Sequence, residues 1–201
     1  MPFEPKDWSA IVVGAWNPAI LSPDGIRRRL FKLPDGSPVE LEVRMDQPGG
    51  FRVGYGGIRV APSLERLAVE PVVSDEKSLI EACDLCRQAL SQLPETPIRA
   101  AGVNVRYFIA SATDRMIDLT ACSLDAELTA AMQDTIEVSH QVKIALNPGV
   151  VNLRMNHSKG ANGLVNFNFH LDSTKSAELG EWLGRGKEFV AFAEKMLATF
   201  K

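Results

Sequence analysis

The sequence predicts an α+β protein: antiparallel β-sheet with one face covered by two or three amphipathic helices, including a long C-terminal helix. Three observations carry this. Several stretches alternate apolar and polar residues with period two, as VNFNFHLD (Val165 to Asp172) does, which is the pattern of a strand with one covered and one wet face. Two other stretches repeat apolar residues at intervals of three and four, the mark of an amphipathic helix. The order is strands then helix, twice over, with too few strand-to-helix alternations for a doubly wound parallel sheet.

In chain order, WSAIVVGAW (Trp8 to Trp16) is short and β-branched and reads as a buried strand. Ser22 before Pro23 is a helix cap followed by a favoured first residue, and Ile26, Leu30 and Leu33 form one apolar stripe; Gly25 weakens that helix. Pro34 to Pro38 is a turn. Val39, Leu41 and Val43 alternate with charged residues as a half-buried strand, and FRVGYGGIRVAP and LERLAVEPV are glycine- and proline-bounded strands. Ser74 or Asp75 caps a helix whose stripe is Leu79, Cys83, Cys86, Leu90 and Leu93, ended by Pro94. Ile98 to Ile109 alternates as a strand. Ser123 can cap a short helix carrying Leu124, Leu128 and Met132. Ile136 to Leu146, Val150 to His157 and Leu164 to Asp172 are further strands, joined by Asn147-Pro148-Gly149 and by the loop His157 to Gly163. Ser176 to Phe200 is helical, with Gly180, Gly184 and Gly186 marking close packing, a kink or a later helix start near Lys187. The whole, 1–201, reads as one α+β domain, with Pro94 to Pro97 as the divide if there are two lobes, 1–94 and 95–201.

At 201 residues, 45% hydrophobic and 23% charged, the chain has the composition of a globular protein able to bury a sizeable core. A net charge of -3 speaks against a nucleic-acid partner. No apolar run approaches a bilayer span and the N-terminus lacks a basic lead into its apolar run, so neither membrane nor secretion signal is expected. Three cysteines, an odd number, point to free thiols in the cytoplasm.

Motifs for chemistry are weak. Cys83 and Cys86 form a C-x-x-C, but on the apolar stripe of a helix and well inside it, where packing explains them better than redox or zinc chemistry. His140 stands on the apolar side of its strand with no nucleophile placed beside it, as a core-edge histidine does. GGFRVGYGGIRV lacks the glycine spacing and following helix of a dinucleotide loop. Arg27 to Arg29 splay around a helix and read as a solvated face. No cofactor and no metal site is expected.

The polar rows of the last strands are the one remaining candidate. If these strands share a sheet, one face carries Asn104, Arg106, Asn152, Arg154, Asn156, Asn166, Asn168 and His170, with Glu137, Ser139, Gln141 and Lys143 beyond them. Five asparagines in strands need an account, since asparagine is disfavoured there. Few carboxylates accompany them, which argues against a glycosidase pair or a hard-cation cage, and Phe108 is the sole aromatic among them, too few for a base-stacking platform. The bland reading is a solvated sheet face. The functional one is a non-enzymatic interaction or assembly protein, homo-oligomeric or bound to a protein partner, that uses this face or a sheet edge. The rival is a small-molecule-binding protein or enzyme with a pocket between sheet and helices, using His140 or His170 with Arg154. A third reading, nucleic-acid contact through Arg27 to Arg29, Arg106 and Arg154, predicts binding that falls steeply with salt.

Overall fold

The computed structural model describes residues 3–43, 50–110, 114–120, 127, 130–131, 137–158 and 162–200. Ten strands form one antiparallel sheet: β1 (Phe3–Pro5), β2 (Ser9–Gly14), β3 (Glu40–Val43), β4 (Phe51–Tyr55), β5 (Ile58–Pro62), β6 (Arg66–Pro71), β7 (Ile98–Ile109), β8 (Glu137–Leu146), β9 (Gly149–Ser158) and β10 (Gly163–Asp172). Their order across the sheet is β3-β4-β5-β6-β2-β7-β10-β9-β8, with β1 also paired to β7. The helices are α1 (Pro23–Arg29), α2 (Glu76–Gln92), α3 (Asp114–Thr120), α4 (Ser176–Leu183) and α5 (Gly186–Ala198). Among the described residues, no helix is long and apolar enough to cross a membrane.

The sheet is continuous because β2, from the first half of the chain, lies between β6 and β7, with Ala10 opposite both Val69 and Val103. From there one apolar row crosses the sheet: Val53, Val60, Val69, Ala10, Val103, Phe169 and Val151 all stand in mutual register and all are buried. Against this face α2 packs on β6, β2 and β5, while α4 and α5 pack on β7 and on α2. Aromatic rings fill the layer: Phe169 stacks on Phe189 at 4.3 Å between centroids, Trp182 leans on Phe189 at 4.8 Å, and Phe192 meets Phe169 edge-on. Two grooves are described next to the helices, one of about 580 Å³ between α2 and α4 and one of about 340 Å³ between α2 and the β4-β5 hairpin, beside Phe31, Tyr55 and Leu85.

Local signals explain the starts of two helices. Ser22 accepts from the Gly25 N–H and Asp75 from the Ser78 N–H, so α1 and α2 begin at side-chain caps. The Cys83 and Cys86 thiols lie on the buried face of α2, as the stripe predicts, and burial pushes Cys83 up to about 12 and Cys86 well above its ordinary value. Neither is a thiolate at neutral pH.

Three expectations change in detail. The C-terminal helical stretch is two helices, broken at Gly184 and Arg185. Gly180 has open space beside it, whereas a Cβ at Gly186 would sit 3.4 Å from Cys83 Sγ; α5 starts where its backbone comes close to α2. The strand from Val39 to Val43 is not half-buried: β3 is the sheet edge and all four of its residues are exposed. Arg27 is not on a solvated face. It is 7% exposed, held by Asp24 and by Asp35 (2.9 Å), and it donates to the Pro34 carbonyl, which pins the 34–37 turn to α1. The helix expected after Ser123, and Cys122 with it, lie outside the described residues.

Candidate functional site on the open sheet face

The residues opposite the apolar row point to the uncovered face. Antiparallel register aligns β7, β10 and β9 so that Asn104, Asn168 and Asn152 stand in one line, with Ser9 of β2 opposite Asn104 at one end and Lys143 of β8 opposite Asn152 at the other. Neighbouring strands are spaced about 4.8 Å apart, close enough for asparagine side chains to reach each other. They do. Asn152 Nδ2 donates to Asn168 Oδ1 (2.9 Å), Asn168 Nδ2 donates to Asn104 Oδ1 (2.9 Å), and Asn104 Nδ2 donates to Ser9 Oγ (3.0 Å). The peculiar asparagine content is thus a hydrogen-bonded amide ladder running across four strands, about 14 Å long, with every dipole in the same sense.

The next row holds Arg106, Asn166, Arg154 and Gln141 in register. Arg106 Nη1 stands 3.8 Å from Asp7, and Arg154 Nε donates to Asn156 Oδ1 (3.1 Å), which also accepts from Ser139 Oγ (2.9 Å). Two buried atoms of neighbouring residues, Arg106 Nε and Asn166 Oδ1, have no hydrogen-bond partner among the described residues. On the ladder's other side His170 Nε2 pairs with Asp172 Oδ1 at 2.9 Å, next to Gly102, where a Cβ would come within 3.4 Å of Asn168 Nδ2. Of the eight residues expected on this face, Arg154 is exposed and the other seven are half-buried.

No family model matches this chain, and no curated protein matches it either. The site therefore rests on its own geometry. All eight expected residues share one face of one sheet, and the ladder joins three of them. His140 is on the opposite face, opposite Met155 in β9 and beside Val138 and Val142. Arg27 is tied to its own turn through Asp35.

Sequence reasoning missed three contributors. Ser9 closes the ladder although it lies 95 residues from Asn104. Asp172 pairs with His170, two residues back on the same side of the strand. The third is the other half of the same face, where Arg52, Arg59, Glu42 and Glu70 interlock across β3 to β6, with Arg59 Nε 3.1 Å from Glu42 and Arg52 Nη2 3.3 Å from Glu70. Its signal was present as alternating charge in those short strands.

Chemically, the ladder leaves each amide one further N–H, and leaves one oxygen lone pair on Asn104 and Asn168 and two on Asn152. It is an ordered, neutral array of donors and acceptors flanked by two arginines and a histidine. Among the described residues no three or more His, Cys, Asp or Glu side chains gather as a metal site.

Proposed function

We propose that this protein is a non-enzymatic interaction or assembly protein, homo-oligomeric, whose contact surface is the open face or edge of the β-sheet on its β7-β10-β9-β8 side. The observation that carries the reading is the amide ladder Asn152, Asn168, Asn104, Ser9. Fixing a polar side chain on binding costs rotamer entropy, and the ladder has already fixed these. A surface so preorganised suits a wet protein interface, where direct and water-mediated hydrogen bonds set register. The unpartnered Arg106 Nε and Asn166 Oδ1 add a donor and an acceptor that a partner group or a bridging water would satisfy. The buried free thiols of Cys83 and Cys86 are compatible with a cytoplasmic place for it.

The test is native mass spectrometry over a range of concentrations, followed by hydrogen exchange in dilute and concentrated solution. The reading expects a mass above that of the monomer and added protection in β9 and β10 on concentration. A monomer at every concentration overturns it. A monomer carrying a reproducible small-molecule adduct would favour the rival, a ligand-binding protein, for which the groove of about 580 Å³ lined by Lys32, Arg87, Gln88 and Glu181 is the place to look first.

A further inference from the structure

The two edges of the sheet differ. β3 is only four residues long and sets Glu40 and Glu42 between its exposed Leu41 and Val43, so shortness and charge discourage pairing there. β8 is ten residues long and, among the described residues, pairs only with β9. In an antiparallel ladder every second residue turns its N–H and C=O away from the neighbouring strand, so among the described residues, where α3 also packs against β8, no strand fills that row. Val142, on the core side of this edge, is 47% exposed.

The sequence of β8 is complementary to itself when reversed. About His140 as centre, Ser139 mirrors Gln141, Val138 mirrors Val142, and Glu137 mirrors Lys143. We infer that β8 pairs antiparallel with β8 of a second copy of this chain, about a two-fold axis through His140. In that register Val138 of each copy meets Val142 of the other on the core side, covering the exposed valine. By the same register position 137 of each copy, a glutamate, stands opposite position 143 of the other, a lysine, twice by symmetry. A lone lysine on an edge strand usually blocks pairing; here its mirror position holds an acid, which turns the block into a selector for this one register. The open face, with Asn152 and Arg154 one strand in, then runs unbroken from one copy to the other. This inference rests on the assembly reading and names its partner.

Charge exchange tests it. Cross-strand like charges are destabilising where opposite charges stabilise, so Glu137→Lys or Lys143→Glu alone replaces two attractive pairs by two repulsive ones. Each is expected to raise the dimer dissociation constant about ten-fold or more. The double variant E137K/K143E restores Glu opposite Lys and is expected to dimerise like the wild type. A mixture of the two single variants, one of them isotope-labelled, is expected to form the mixed dimer in preference to either homodimer. If the wild type is oligomeric but the single variants associate unchanged, the edge pairing is wrong and the assembly reading stands. If the wild type is monomeric, both fall. Should circular dichroism show a single variant unfolded, cysteine cross-linking in a Cys122→Ser background decides instead. Directly opposed residues in an antiparallel pair have Cα atoms about 5 Å apart, within disulfide range, so His140→Cys is expected to cross-link to itself. Val142→Cys would lie about 14 Å from its own copy and is expected not to. Equal cross-linking at both positions, or none at His140→Cys, overturns the register.

Discussion

Asn168 holds two bonds of the amide ladder, as acceptor from Asn152 and donor to Asn104, whereas Asn152 holds one. The two therefore differ in a measurable way. Asn168→Ala strands a donor on one side and an acceptor on the other, and each hydrogen bond lost at such a half-buried position costs about 0.5–1.5 kcal/mol. Asn152→Ala strands only the Asn168 acceptor. Urea denaturation should show Asn168→Ala as the more destabilising by about 1 kcal/mol; equal losses would mean that the ladder bonds contribute nothing beyond solvent. What was legible here was the alternation of asparagine with apolar residues, which put the amides on one face. The ladder itself was not legible, because it needs the registers of β10 against β9 and β7 and of β7 against β2, and the last of these joins residues 95 apart. Arg27 shows the same limit. In sequence it is one of three consecutive arginines; in the fold it alone meets Asp35, whose position depends on the turn after α1.

Helices and strands were read best where a local signal sufficed. The apolar stripe and cap of α2 are written in adjacent residues, and Asp75 accepts from the Ser78 N–H at 2.7 Å. That bond holds the Asp75 carboxyl below the ordinary aspartate range, with the side chain of Ser78 adding to it. A carboxyl lowered in the folded state stabilises the fold above its unfolded value, near pH 4, and the benefit disappears as pH falls through the lowered value. Asp75→Asn keeps the capping oxygen but not the charge, so its stability gap to the wild type should narrow as pH drops from about 5 to 2. Asp75→Ala should cost about 1 kcal/mol at neutral pH. A gap between wild type and Asp75→Asn that stays constant over that window, in urea midpoints, would show that the charge is not what stabilises the cap. Glycines were the misleading local signal. Gly25 argues against α1 by propensity, yet a Cβ there would sit 1.9 Å from the Ile20 carbonyl oxygen, so the helix can start only with glycine at that place. Propensity scores a residue in isolation, and the reason for this one is a neighbour's backbone.

At the scale of the molecule, the Pro94 to Pro97 divide falls between α2 and β7, yet the structure runs straight across it. β7 takes β2 and β1 along one side, with Phe3 opposite Ile109, and β10 along the other. The strand that begins the second half is thus the partner that completes the first. Chains 1–94 and 95–201, made separately, would each expose a long strand edge: β2 would lose its neighbour on one side, and β7 would lose both of the strands it takes from the N-terminal part. The helix layer would be divided as well, since α2 packs on both α4 and α5. Neither fragment keeps a closed core, because Val12 sits opposite both Leu67 and Ala101, one from each half. The expected outcome is that each fragment alone lacks the dispersed amide spectrum of a folded protein and that mixing them restores it. Recovery should be slow, because the contacts that complete the sheet join residues far apart in sequence, and such pairings form late. A fragment that gives a dispersed spectrum alone would place the boundary of cooperative folding at the proline divide. Recovery only on mixing would place the folding unit in the sheet, with β7 as the strand that makes the two halves one.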